Sequence, residues 1–399
     1  MSRIKVGLAL FMVSSLVGSA FLASEVQDEA EIAWNNRRAE ALPNGSMEEA
    51  PDAYFEGYVQ ALVDMHYYEY KVVVTVKDRK VWLANLPKNQ LIAQSIITFV
   101  KDVPGVKEVH VMNGVPPKEL KDREDYVYRP EVGGVWFPQT TELFQPLIAN
   151  PRQVTYSLGY RFGDKVIGDH VAAVSLGDDF PIYRWLEVFC WEGDLQIGIE
   201  AGVWSVFNLD VKGMNIAGGT ELVNTDYYVG IPLTYAINRW SFRWRVYHIS
   251  SHLGDEFLVN HPGYDRRNPS MESMDFFTSY QINDHVRVYI GPGWVMHSDR
   301  SFSYKHYYIE YGAEFRFFGT RFRKQKLHGA FFLAGHVENW QFQNMDFNGT
   351  YVLGYEFSKL QGVGRKMRLF VEYHHGFSDE GQFQKRRTSF GAVKGSWGF

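Results

Sequence analysis

Cysteine is almost missing from this 399-residue chain, in which Cys190 stands alone. That excludes an internal disulfide. Its setting in the apolar run 185–191 suits a small packed or lipid-facing residue better than a nucleophile or metal ligand. Long apolar runs are also scarce. Past residue 20 no stretch approaches the roughly 18 consecutive apolar residues of a transmembrane helix, so none is expected. The formal net charge of −5 is small for this length and gives no basis for a nucleic-acid partner. No glycine-rich phosphate loop occurs, and His248, His252 and His261 lack a standard zinc spacing.

Aromatic side chains, in contrast, are plentiful at 16%. The stretch 242–258, FRWRVYHISSHLGDEFL, shows how they are used. Phe242, Trp244 and Val246 fall on one face, and Arg243, Arg245 and Tyr247 on the other. A period of two marks a β-strand. A face carrying two arginines is wet, whereas its opposite is apolar, the pattern of a transmembrane β-barrel strand with lipid outside and a polar lumen. Similar alternation recurs at 154–162, 195–203, 227–235, 274–282, 286–296, 307–317, 327–337, 351–357, 367–373 and 388–399. The expected fold is mainly β: a transmembrane antiparallel β-barrel of about 12 strands over 152–399, preceded by a small α+β domain. Strand parity forbids full strands at both 171–176 and 182–191.

Residues 1–20 read as a secretory signal. Arg3 and Lys5 precede the apolar run 6–16, and Gly18-Ser19-Ala20 offers a cleavage site. Residues 21–52 are polar, with a short helix expected over 28–40 and then a linker. Residues 53–115 predict the order α-β-β-α-β: a helix with Tyr54, Tyr58, Ala61, Leu62 and Met65 on its apolar face, a hairpin turning at Asp78-Arg79, a helix from Pro87 to about Lys101, and a last strand over 106–111. Val103, Gly105, Val106 and Val109 match the V-x-G-V-x-x-V ending of the BON domain, which this region resembles. The usual hairpin glycine is missing, with Asp78-Arg79-Lys80 in its place. The resemblance implies a periplasmic, non-enzymatic domain that attaches to membranes or surfaces, so a periplasmic or envelope partner is expected through residues 53–115. Residues 116–151 are proline-rich and predict an extended connector.

Glu200, Arg243, Arg245, Arg287, Glu310, Glu314, Arg316, Glu356, Arg368, Glu372 and Lys394 are the expected lumen charges. Their mixed sign favours a closed or narrow interior filled by ion pairs over a pore selective for one sign. The chain ends Trp397-Gly398-Phe399, and outer-membrane barrels commonly finish on such a C-terminal aromatic. A last strand running inward to Phe399 puts the short turns at the periplasmic end and the long connections 210–223 and 254–271 outside. The runs 202–210, 226–235 and 247–258 (YHISSHLGDEFL) resemble a family of uncharacterised bacterial outer-membrane proteins, which implies an exported barrel and no particular chemistry.

One pair has a chemical look. His248 and Ser250 continue the apolar phase of their strand near its predicted outer end, where an imidazole could take the proton of a hydroxyl. Spacing, phase and position resemble the His-x-Ser pair of outer-membrane phospholipase A and the lipid A deacylases. Those families take an orienting residue from the next strand at a fixed interval, where Pro262 stands here. Asp255, Glu256, Asn260 or Glu272 could replace it, and Asp255 or Glu256 could hold the calcium such lipases use. The alternative is that Ser250 to Glu256 form a structural outer loop. The adjacent His374-His375, near Asp379 and Glu380, point to opposite strand faces and so are not expected to share a metal. The sequence thus leaves three readings open: a barrel whose small domain tethers it to a periplasmic partner, an acyl-ester hydrolase acting on outer-membrane lipid, and a narrow solute channel.

Overall fold

The computed structural model describes residues 50–70, 72–112, 133–210, 219–322 and 327–399. The expected signal, the helix over 28–40 and the first half of the proline-rich stretch lie outside these residues. The chain divides into two compact units, with residues 50–112 in one and 133–321 with 328–399 in the other.

The smaller unit has the expected element order: α1 (Asp52–Tyr67), β1 (Val73–Lys77), β2 (Lys80–Ala84), α2 (Gln90–Lys101) and β3 (Glu108–Val111). β2 pairs antiparallel with β1 and parallel with β3. The Asn89 side chain caps α2 by accepting from the Leu91 and Ile92 amides. The buried stripe of α1 is Phe55, Val59, Val63 and Tyr67, which corrects the expected face. Two apolar stripes run along this helix. The one that also carries Tyr67, whose hydroxyl lies 2.7 Å from Ser95 Oγ on α2, faces inward. Asp78 and Arg79 take positive φ values of 51° and 65°, the turn a glycine would normally fill. Their helix contacts compensate: the Asp78 amide donates to Asp52 Oδ2 at 2.6 Å, and Arg79 lies over the Phe55 ring.

In the larger unit β5 (Tyr156–Asp164), β6 (Gly168–Val188), β7 (Gly193–Asn208), β8 (Glu221–Ile237), β9 (Trp240–Leu253), β10 (Ser270–Asn283), β11 (Val286–Ser298), β12 (Tyr307–Phe322), β13 (Leu327–Trp340), β14 (Asn348–Ser358), β15 (Lys366–Phe377) and β16 (Arg387–Gly398) follow one another around a ring. β16 pairs with β5, and β6 with both β5 and β7, so the twelve strands close. A short β4 (Gly134–Trp136) adds to the far end of β6. The parity conflict resolves because 171–176 and 182–188 belong to one long strand, β6, which bends at a register shift beside Pro181, while 189–191 form the turn that follows.

The expected phase holds. Leu158, Ile199, Val229, Ile231, Trp244, Ile290, Leu333, Leu353, Val371 and Val393 are exposed on the outer wall, while Glu200, Arg243, Arg287, Glu314, Glu356, Arg368 and Glu372 are buried inside. The inner charges pair. Arg245 bridges Glu200 at 3.2 Å and Asp275 at 2.5 Å, Arg316 bridges Glu314 at 3.3 Å and Glu356 at 2.8 Å, and Lys394 reaches Glu372 at 2.6 Å. An apolar belt outside with compensated charge inside suits a wall placed between lipid and a polar interior.

The stretch 139–153, expected to be plain connector, runs through this interior. Arg287 donates to the carbonyls of Gln145 (2.6 Å) and Pro146 (2.9 Å), Ile148 N–H donates to Glu314 (3.0 Å), and Asn150 Nδ2 donates to Glu310 (3.1 Å). Phe144 packs edge-on against Phe277 and under the guanidinium groups of Arg243 and Arg287. At the barrel end away from Phe399, residues 378–383 fold inward and are buried. Glu380 there accepts from Arg161 at 2.7 Å, and Arg152 of the stretch 139–153, which forms a plug, bonds Asp226 and the Asp379 carbonyl. Two cavities left inside have volumes of about 70 and 50 Å³, space for a few waters.

Candidate functional site on the outer wall

β9, β10 and β11 lie side by side, and their ends away from Phe399 bring three titratable side chains into a row. Glu272 of β10 is the register partner of His248 on β9 and of His297 on β11. His248 continues the outward phase of Trp244 and Val246, and Glu272 that of Phe276. His297 reaches the same face by a different device. Glu272 pairs with His297 but Ser273 pairs with Val295, so Met296 is an extra residue and the strand bulges. The bulge turns His297 toward Glu272.

The carboxylate is held from both sides. His248 Nδ1 lies 2.8 Å from Glu272 Oε1, and His297 Nδ1 lies 2.6 Å from Oε2. Donation from His248 Nδ1 to the carboxylate leaves Nε2 as the basic nitrogen of the ring. Ser250 shares this face two residues on, half-exposed, opposite Ser270 on β10 and Tyr227 on β8. Its hydroxyl makes no hydrogen bond among the described residues. The surroundings are aromatic: Tyr227 meets His252 edge-on, and Trp294 stacks on His306 and meets Tyr307 edge-on.

Of the four residues expected from sequence, His248 and Ser250 share the outer face two residues apart with no hydrogen bond between them, and Asp255 and Glu256 do not join them. They form the first turn of α3 (Asp255–Asn260), and neither bonds His248. The carboxylate at His248 is Glu272. The rest of the SSHLGDEF run is architectural. Ser251 points inward and donates to Asn224 Oδ1 at 2.9 Å, and Phe257 packs on Phe383 of the inward-folded loop. A Cβ on Gly254 would lie 1.9 Å from the Leu222 carbonyl oxygen, so no other residue fits there. His374 is buried with both ring nitrogens engaged, by Thr350 at 2.9 Å and the Phe377 carbonyl at 2.8 Å, while His375 is exposed, so the two do not share a ligand.

A closed antiparallel ring of twelve strands, lipid-like on its outer wall and ion-paired within, defines an outer-membrane-type β-barrel. The chain belongs to DUF1207, a family described as proteins of unknown function, which matches residues 67–399. No curated protein matches the sequence. Among solved structures the chain is similar to the outer membrane phospholipase of Salmonella typhi, crystallised as a dimer with bound calcium, at 13% identity over 62% of this chain and 93% of that one with a TM-score of 0.43. Outer membrane phospholipase A of Escherichia coli gives 12% identity over 62% and 93% with a TM-score of 0.43. The KdgM porin gives 12% identity over 62% and 98% with a TM-score of 0.31.

Proposed function

We propose that this barrel is an acyl-ester hydrolase acting on lipid of the outer leaflet of the outer membrane, with Ser250 as nucleophile, His248 as general base and Glu272 as the orienting carboxylate. The observation that carries the reading is the hydrogen bond of 2.8 Å between His248 and Glu272 on the outward face, in register, with the unbonded Ser250 hydroxyl two residues along the same strand face. In the reaction, His248 Nε2 takes the Ser250 proton as Oγ attacks the ester carbonyl. The protonated ring then gives that proton to the departing alcohol, and water releases the acyl group by the same steps in reverse order. Glu272 fixes the Nδ1–H tautomer and stabilises the imidazolium. His297, on the other carboxylate oxygen, holds Glu272 in place. Calcium is proposed as a cofactor, with Asp255 and Glu256 as its candidate carboxylates. The outward phase supports a lipid substrate, because a side chain on that wall meets acyl chains.

The smaller unit, BON-like in element order, is proposed to lie in the periplasm and tether the barrel to an envelope partner. The stretch 139–153, bonded to the wall through Arg287, Glu314 and Glu310, argues against the channel reading by filling the lumen. A long-chain fluorophosphonate probe tests the nucleophile. Wild type should be labelled on Ser250, and Ser250→Ala and His248→Ala should not. Labelling elsewhere, or none, removes the assignment.

A further inference from the structure

Each of the lumen glutamates Glu200, Glu314, Glu356 and Glu372 has an arginine or lysine partner. Glu310 and Glu338 do not, among the described residues. Glu310 comes from β12, and Glu338 with His336 from neighbouring β13, two residues apart and so on one face. His336 Nε2 stands 3.4 Å from Glu310 Oε2 and 3.4 Å from Glu338 Oε1. It is buried, on a side chain only 1% exposed, and makes no hydrogen bond. A charge-assisted N–H···O bond would close to about 2.7–2.9 Å. The observed spacing instead fits the edge of a tetrahedron around a metal ion, about 3.3 Å for bonds of about 2.0–2.1 Å.

We propose that Glu310, His336 and Glu338 form a binding site for a divalent transition-metal ion such as Zn²⁺ or Mn²⁺. The three ligand atoms lie within 4.8 Å of one another. Each ligand is steadied from outside. Tyr289 Oη lies 3.0 Å from His336 Nδ1, Trp340 Nε1 donates to Glu338 Oε2 at 3.0 Å, and Asn150 Nδ2 donates to Glu310 Oε2 at 3.1 Å. Both glutamates border the cavity of about 70 Å³, which supplies room for water in the remaining coordination positions. One nitrogen and two carboxylates suit a borderline ion, whereas Ca²⁺ prefers six to eight oxygens. Because Asn150 belongs to the plug, the ion would pin the plug to the wall.

The test uses the full mature chain folded in detergent, stripped with chelator, loaded with Zn²⁺, Mn²⁺ or Ca²⁺ alone and desalted. Metal analysis should find about one Zn²⁺ or Mn²⁺ per chain, little Ca²⁺, and a tenfold or greater loss in His336→Ala and Glu310→Gln. Ser250→Ala should keep its metal, which separates this site from the proposed hydrolase. X-ray absorption of the Zn²⁺-loaded wild type needs no variant and should show one imidazole with oxygen ligands. Two imidazoles would assign the ion to His248 and His297 on the outer wall and overturn the proposal. So would failure of wild type to retain either transition metal, or equal retention by a correctly folded His336→Ala.

Discussion

Arg287→Met should loosen the plug and weaken the barrel together. Arg287 is 2% exposed and spends its donors on the Gln145 carbonyl (2.6 Å), the Pro146 carbonyl (2.9 Å) and Ser279 Oγ (2.7 Å), with Glu314 at 3.5 Å. Methionine fills much of the space but leaves two plug carbonyls and one hydroxyl without this donor. Three hydrogen bonds to a charged group, at about 1.5–3 kcal/mol each, set a gross loss of about 5–9 kcal/mol. Two features reduce it. Glu314 keeps Arg316 at 3.3 Å and the Ile148 amide at 3.0 Å, and removing a buried cation also removes its desolvation cost. The net expectation is about 3 kcal/mol, the low end for breaking a buried pair. Urea titration of the heat-modifiable folded band reads the stability, and planar-bilayer conductance reads the plug. Wild type should be closed, and Arg287→Met should show intermittent opening. A loss below about 0.5 kcal/mol with an unchanged conductance trace would refute the idea that this arginine holds the plug.

Three further outcomes are expected at the inward-folded loop 378–383, on the outer wall and at Glu272. Burial pushes Asp379 up to about 6, while Glu380, which burial also raises, is pulled down to about 2 by Arg161 and Arg152. Asp379 therefore costs stability as pH rises from about 4 to 6, and Glu380 contributes stability that is lost as pH falls from about 4.5 toward 2. Asp379→Asn should abolish the first slope and raise the urea midpoint at pH 7, and Glu380→Gln should abolish the second. Leu353, exposed near the middle of β14, should cost about 2–4 kcal/mol of bilayer folding free energy when changed to Arg, and far less when changed to Phe. Glu272→Ala should lower kcat for ester hydrolysis by about 10²–10⁴, with His297→Phe giving a smaller fall.

The strands were legible because their chemistry alternates with the pleat. Val288 and Ile290 against Arg287 and Tyr289 give the wall its two faces in the sequence itself. β6 was not, because Asp178-Asp179 and Pro181 look like a turn. In the fold Arg365 holds Asp178 at 2.9 Å, and the proline falls at a register shift. The plug was illegible for a different reason. Its prolines are those of any linker, and its partners, such as Glu310 for Asn150, stand on the far side of the sequence. Alternation put His248 and Ser250 on the outward face of their strand, and β9 carries them there. Glu272 could be named only as one of several candidates, because its register depends on how much chain α3 and its flanks consume between β9 and β10. His297 could not be named at all, since strict alternation places it inside and a one-residue bulge brings it out.

The central claim is that Ser250, His248 and Glu272 act as one catalytic unit on lipid. Purified full-length protein in detergent with calcium, offered phospholipid and lipopolysaccharide, tests it beside Ser250→Ala, His248→Ala and Glu272→Ala, all checked for heat-modifiable folding. The predicted result is release of fatty acid by wild type and a loss of that release in each of the three variants. No release by wild type, or equal release by all four proteins, would contradict it and leave the row of side chains as an ornament of the outer wall.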